Sequence, residues 1–350
     1  MTLGPLMIDL VGPMVSPEER DMLAHPLVGG VILFTRNYES PEQLLELTRS
    51  IHSARNPPLL IGVDHEGGRV QRFRSGFSRL PPARRLGHLF DTDRPAGTSA
   101  ARTMGWLMAA ELRAHGVDLS FAPTVDLDYG LNEAIGDRAL HATADVTAQL
   151  AVSYMSGMRD AGMAATAKHF PGHGAVLADS HVSLPVDRRE LADLEADLTP
   201  YRRLIANGLP GVMVAHILLP AVDAAPASLS GRWIRGVLRT DLNFQGAIFT
   251  DDLSMGAVAA GSDIVARCQR ALSAGCDMLL VCNDPASRSQ ALAGLTVSPD
   301  PASQLRLVRM RGRERLSPAQ LQASAQWHSA QQLLAQLAAP PALSLTAAGA

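Results

Sequence analysis

The chain has 350 residues, 47% of them hydrophobic, with 31 Lys+Arg against 34 Asp+Glu and a formal charge of −3. That balance leaves no bulk electrostatic case for nucleic acid or a membrane surface as partner. No stretch approaches the ~18 uninterrupted apolar residues of a membrane span, and the three cysteines, Cys268, Cys276 and Cys282, stand in no metal-ligand spacing and read as small buried hydrophobes in a reducing cytosol.

The N-terminal run Met1–Asp9 contains no basic n-region, and Asp9 interrupts its apolar stretch, so a secretory signal is not expected and the cytoplasm is the expected compartment. Strands are predicted at Leu6–Leu10, Val31–Phe34, Leu59–Val63, Leu119–Val125, Ala165–Ala167, Gly211–Ala215, Ala247–Thr250 and Met278–Val281. Several are continuous apolar runs, the pattern of parallel strands covered on both faces. Helix signals lie between them. Ser16-Pro17-Glu18-Glu19 and Ser40-Pro41-Glu42-Gln43 read as capping boxes with proline at the first helical position. Ala100–His115 and Ala144–Ala161 have helical apolar spacing, as does Leu191–Ile205, which Pro200 is expected to kink or divide.

Eight strands alternating with helices predict one (β/α)8 barrel over residues 1–297. An open doubly wound sheet is the alternative, weakened because no glycine-rich nucleotide fingerprint follows the first strand. From residue 298 the composition changes. Arg306, Arg309, Arg311, Arg313 and Arg315 precede Ala- and Gln-rich sequence and a Pro/Ala tail. This predicts a solvated helical extension outside the barrel and a disordered end. Nothing aromatic interleaves the arginines, which argues against a nucleic-acid patch.

Barrel active sites lie at the C-terminal strand ends. Here those ends carry Asp64, followed by His65-Glu66-Gly67-Gly68-Arg69 and Arg72; Asp126 and Asp128; Lys168-His169; His216; and Asp251-Asp252. A lone Asp or His at such a place is usually a satisfied structural residue, but five strands ending this way point to chemistry. Lys168 is the only lysine in an arginine-biased chain. Arginine is a planar fork and lysine a compact point charge, so the exception marks a position where the fork does not fit, unless it is an accident of composition. After Lys168-His169-Phe170, the run Pro171-Gly172-His173-Gly174 must be a loop. It leads to Asp179-Ser180-His181, where two residues two apart in an extended stretch share a face. The carboxylate could hold the imidazole as a general acid/base pair. His169 and His173 have the four-residue spacing of a zinc pair, but that spacing needs a helix and Pro171-Gly172 forbids one; no metal is expected.

The segments Asp64–Arg72, Lys168–Gly174, Asp179–His181 and Phe249–Met255 together resemble glycoside hydrolase family 3, in that family's order and over about residues 5–290. They look most like its short bacterial β-N-acetylglucosaminidases of peptidoglycan recycling. The resemblance implies a single-domain barrel in which Asp251 is the nucleophile, His181 the acid/base and Asp179 its partner. It implies that Asp64, Arg72, Arg138, Lys168 and His169 bind the terminal sugar. Arg138 follows Asp137 where the family more often has Glu, and His65 stands where Gln is common. Neither a metal nor an organic cofactor is implied, the substrate is a GlcNAc-containing muropeptide, and a monomer is expected. A glycoside phosphorylase on the same site and a non-catalytic sugar-binding barrel are the competing readings; intact Asp251, Asp179 and His181 argue against the second.

Overall fold

In the computed structural model, which describes residues 2–177, 184–259, 263–298, 300–313 and 316–338, eight parallel strands follow one another around a ring. They are β1 (Leu6–Asp9), β2 (Val28–Leu33), β3 (Leu60–Val63), β4 (Leu119–Ser120), β5 (Thr166–Phe170), β6 (Gly211–Val214), β7 (Ala247–Thr250) and β8 (Leu279–Val281). One sheet runs β8-β1-β2-β3-β4 and the other β5-β6-β7. Parallel bridges Leu119–Ala164 and Thr124–Lys168 join them on one side, and Phe249–Met278 joins them on the other, completing the circuit of a (β/α)8 barrel.

The strand residues alternate between two separate apolar clusters, which explains why the runs read as continuously hydrophobic. Met7, Ile32, Leu60, Leu119, Met213, Phe249 and Leu280 pack with one another in the barrel interior. Their chain neighbours Leu6, Ile8, Ile61, Val63, Val212, Val214, Ile248, Leu279 and Val281 pack outward in the larger cluster with the helices. Glycine at 30 lets this close: a Cβ there would lie 2.6 Å from the Met7 side chain and 3.0 Å from the Leu60 carbonyl.

Local chemistry fixes the helix starts. Ser16 and Glu19 form both halves of a capping box before helix Pro17–Ala24. Ser40 caps helix Pro41–Ser53 by accepting from the Gln43 amide at 3.2 Å, but the Gln43 side chain turns to Glu39 N instead of closing the box. Asp93, Asp263 and Asp284 cap helices Arg94–Ala114, Ile264–Ala274 and Pro285–Gly294.

The structure corrects several expected boundaries. The fourth strand ends at Ser120 rather than Val125, because Pro123 has no amide to continue the ladder. The fifth extends through Lys168, His169 and Phe170, since Val125 N donates to Lys168 O and Ala215 N to Phe170 O, each at 2.8 Å. The helix expected over Leu191–Ile205 divides before Glu195, not at Pro200; a 3-10 turn covers Leu191–Leu194, and Pro200 sits inside the helix Glu195–Ala206. A short antiparallel hairpin, His65–Gly67 with Val70–Gln71, follows β3 and was not anticipated. Helices Pro301–Arg309, Pro318–Gln322 and Ala325–Ala338 form the C-terminal extension. Its last two helices pack on Arg94–Ala114, with Leu321, Ala330 and Leu334 buried.

Candidate active site

At the C-terminal ends of the strands lies a cavity of ≈ 350 Å³. Asp64, Arg72, Arg138, Lys168, His169 and Asp251 all line it, so six of the eight expected site residues meet in one place. Asp179 and His181 lie outside the described residues. Phe34, Met213 and Leu280 supply apolar wall between the charges.

Lys168 organises one side. It is 2% exposed, and its Nζ lies 2.6 Å from Asp64 Oδ1 and 2.6 Å from Glu66 Oε1. Burial alone would lower the ammonium pKa, but these two carboxylates outweigh it and raise the value. Arg138 grips the same Glu66 as a fork, with Nε on Oε2 and Nη2 on Oε1, both at 2.8 Å. Burial pushes the Glu66 carboxyl up, yet the Arg138 and Lys168 charges hold it well below the usual carboxylate range. Arg72 Nη2 stands 3.7 Å from Asp64 Oδ2, so Asp64 is flanked by two cations. Removing one partner from such a buried set costs about 3–5 kcal/mol, because the remaining charge loses its compensation.

His169 is oriented from behind. Its Nδ1 lies 2.7 Å from Asp126 Oδ2. A carboxylate only accepts, so Nδ1 carries the hydrogen and, in the neutral ring, Nε2 is an acceptor. Asp126 also accepts the His173 amide at 2.8 Å. Burial raises the Asp126 carboxyl, but His169, His173 and these hydrogen bonds bring it below its ordinary value. His173 Nδ1 faces Asn132 Nδ2 at 2.9 Å, and an amide nitrogen only donates. The two histidines are therefore committed separately, with ring centroids 6.2 Å apart. Among the described residues no cluster of three or more His, Cys, Asp or Glu side chains is arranged to hold a metal ion.

Asp251 follows the last residue of β7 and lines the same cavity. Its amide donates to Val214 O at 3.1 Å, and its Oδ1 accepts the Asp252 amide at 2.9 Å. Asp252 turns the other way. Its Oδ1 accepts from Ser254 N, Ser254 Oγ and Cys282 N at 3.0, 2.8 and 3.2 Å. Both aspartates line the cavity, and the Asp252 carboxylate also braces the turn.

Glu66 and Asp126 are carboxylates beside the cavity residues to which sequence reasoning assigned no role. Both stood in view at strand ends, but nothing in their spacing tells a carboxylate facing substrate from one that aligns Lys168, Arg138 or His169. Charged and apolar walls alternating around a modest cavity suit a neutral polyol, whose hydroxyls can both donate to Asp64 and accept from Lys168 and the arginines.

A family model, the glycosyl hydrolase family 3 N-terminal domain, matches residues 6–305. The chain is 52% identical over 345 residues to a β-hexosaminidase of Thioalkalivibrio sulfidiphilus (strain HL-EbGR7), covering 99% of each chain. It is similar to the crystal structure of NagZ from Neisseria gonorrhoeae in complex with N-trifluoroacetyl-D-glucosamine, with TM-score 0.92, 41% identity, and 97% and 99% of the two chains covered. A crystal structure of that Neisseria protein in complex with zinc ion is also similar, with TM-score 0.91, 40% identity and the same coverage. The chain belongs to glycosyl hydrolase family 3 and is a glycoside hydrolase of the β-hexosaminidase type.

Proposed function

We propose that this enzyme is a retaining exo-β-N-acetylglucosaminidase that removes terminal β-linked GlcNAc from anhydro-muropeptides in cell-wall recycling, acting as a cytoplasmic monomer. The observation that carries the reading is Asp251 at the end of β7, lining the same cavity as Asp64, Lys168 and Arg138 of the charged network that Glu66 joins. Asp64, Arg72, Arg138, Lys168 and His169 hold the terminal sugar. Asp251 attacks the anomeric carbon while His181, oriented by Asp179, protonates the departing oxygen. Water deprotonated by His181 then breaks the glycosyl–aspartate bond and returns both groups to their starting states. The Neisseria protein's N-trifluoroacetyl-D-glucosamine complex supports an N-acylglucosamine as the recognised sugar.

Chromogenic β-GlcNAc and β-glucoside substrates, each assayed with and without phosphate, test the reading. Selective release from the GlcNAc substrate, with free sugar as product in either buffer, is expected. Sugar 1-phosphate as product would establish the phosphorylase instead, which a histidine acid/base favours because it repels phosphate less than a carboxylate would. A fluorinated glycosyl inactivator should label Asp251; peptide mapping that put the label on Asp252 or Asp64 overturns the nucleophile assignment.

A further inference from the structure

His216 lies two residues beyond the end of β6 and is fully buried. Its Nε2 is 2.9 Å from the Asp252 carbonyl oxygen and its Nδ1 is 2.7 Å from Ser228 Oγ. A carbonyl oxygen only accepts, so Nε2 carries a hydrogen. Burial holds the imidazole below its ordinary pKa against the pull of Asp251, so the ring is neutral and has one N–H to give. Nδ1 is then the acceptor, and the Ser228 hydroxyl donates to it. Ser228 is itself held: it is buried, its amide donates to Ala215 O at 3.2 Å, and its carbonyl accepts from the Cys276 thiol at 3.8 Å. Hydrogen-bond donation thus runs in one direction, from Ser228 through His216 to Asp252.

Asp252 passes that constraint on. Its carbonyl is fixed by His216 and its carboxylate by Ser254 and Cys282, while its amide donates to Asp251 Oδ1 at 2.9 Å. Rotating the backbone about Asp252 moves that amide, and with it the carboxylate it holds. A displacement of even a fraction of an ångström at a reacting group lowers the rate steeply.

We infer that His216, locked as the Nε2–H tautomer by Ser228, is a positioning residue for the Asp251 carboxylate. The inference rests on the reading of Asp251 as nucleophile. His216 is not among the residues lining the cavity, so its effect falls on bond formation and not on sugar binding.

Three substitutions separate this from a merely structural role. His216→Gln places an amide donor near the Nε2 position, His216→Asn reaches only the Nδ1 position, and His216→Phe supplies neither. The readouts are the rate at which a fluorinated glycosyl inactivator labels Asp251 and the affinity for free GlcNAc by calorimetry. Labelling should slow roughly 10–100-fold in the Asn and Phe variants and only several-fold in the Gln variant. GlcNAc affinity should stay within about twofold of wild type in all three. Ser228→Ala should slow labelling by an intermediate factor and weaken the His216 Nε2–H resonance in a ¹⁵N–¹H spectrum. Asn and Phe variants that bind GlcNAc normally and label at the wild-type rate overturn the inference, whatever their melting temperatures. If the Phe variant does not fold, Ser228→Ala decides, since it removes one hydroxyl only: wild-type labelling with the Nε2–H signal intact overturns the relay. A label on another residue of the wild-type enzyme is a different failure, that of the nucleophile assignment.

Discussion

Lys168 carries no redundancy: one ammonium meets two carboxylates at 2.6 Å each while remaining 2% exposed. A guanidinium puts its charge in a wider planar fork, which cannot converge on Asp64 Oδ1 and Glu66 Oε1 from a point. Lys168→Arg should therefore lose nearly as much kcat/KM as Lys168→Ala, roughly 10²-fold or more. Wild-type kinetics in the Arg variant would show the lone lysine to be compositional accident. His65, one residue past Asp64, tells a different story. It is 1% exposed, packs against both Phe73 and Phe77, and burial lowers its pKa to about 3. Below pH ~6.5 the unfolded chain takes up a proton there that the folded chain refuses until about 3. Stability must then fall as pH drops through that window, by up to roughly 1.4 kcal/mol per pH unit. Between pH 7.5 and 5.0 the wild type should lose about 2 kcal/mol more than His65→Gln, read from urea midpoints. Equal losses would mean that His65 titrates alike in both states.

The element that concentrates the chemistry is the chain leaving β5. Asp126 anchors its start by accepting from His169 Nδ1 and from the His173 amide, and Asn132 Nδ2 donates to His173 O at 2.8 Å. This gives the segment leading towards residues 178–183 a rigid root. In the proposed mechanism His181 is the proton donor, and a donor matters only when the leaving group needs a proton. Nitrophenolate leaves readily as an anion and a sugar alkoxide does not. His181→Ala should thus slow glycosylation by a natural disaccharide ~10²–10⁴-fold and by an aryl glycoside far less. The aryl substrate should then show a burst, because deglycosylation still needs the missing base. Equal slowing of glycosylation for both substrates would make His181 a binding residue. The same root bears on zinc, given the similar Neisseria structure that holds this ion. His169 and His173 each have Nδ1 engaged, and among the described residues no group of three or more His, Cys, Asp or Glu side chains is arranged to hold a metal ion. Activity should be unchanged in EDTA; loss that zinc restores would reinstate a metal site.

Across the whole molecule, the C-terminal extension reaches the site indirectly. Trp327 Nε1 donates to Glu111 Oε1 at 3.0 Å, and Glu111 accepts from Ser78 N and Oγ at 3.0 and 2.6 Å. Gln71 Nε2 donates to Ser78 O at 2.8 Å, and Gln71 belongs to the hairpin that precedes Arg72. The extension is therefore a brace on the wall behind the cavity. Trp327→Ala should cost roughly 2 kcal/mol, a fall of ~3 °C in Tm, from lost packing and the loss of one of the hydrogen bonds to the buried Glu111 carboxylate. Unchanged Tm would mean that the helix Ala325–Ala338 is an appendage with no part in global stability.

Apolar runs separated by capped helices made the barrel legible in the sequence, because a parallel strand covered on both faces is hydrophobic at every position and Ser-Pro-Glu starts are local chemistry. That Asp64, Arg72, Arg138, Lys168, His169 and Asp251 meet around one cavity was foreshadowed because polar groups at strand ends are conspicuous after such runs and match a family's motifs. Other features depended on distance in space. Pro123 had to meet its neighbouring strand before the fourth ladder could be seen to stop at Ser120. Pro200 fits inside its helix, and the break falls at Leu194 instead. Glu66, Asp126 and His216 looked like their neighbours in the chain. Only the tertiary structure brought Glu66 between Lys168 and Arg138, Asp126 behind His169, and His216 onto the Asp252 carbonyl. The role of a buried polar group is set by its partners, and here those partners lie 36 to 102 residues away along the chain: His216 to Asp252 by 36, Asp126 to His169 by 43, Glu66 to Arg138 by 72 and Glu66 to Lys168 by 102.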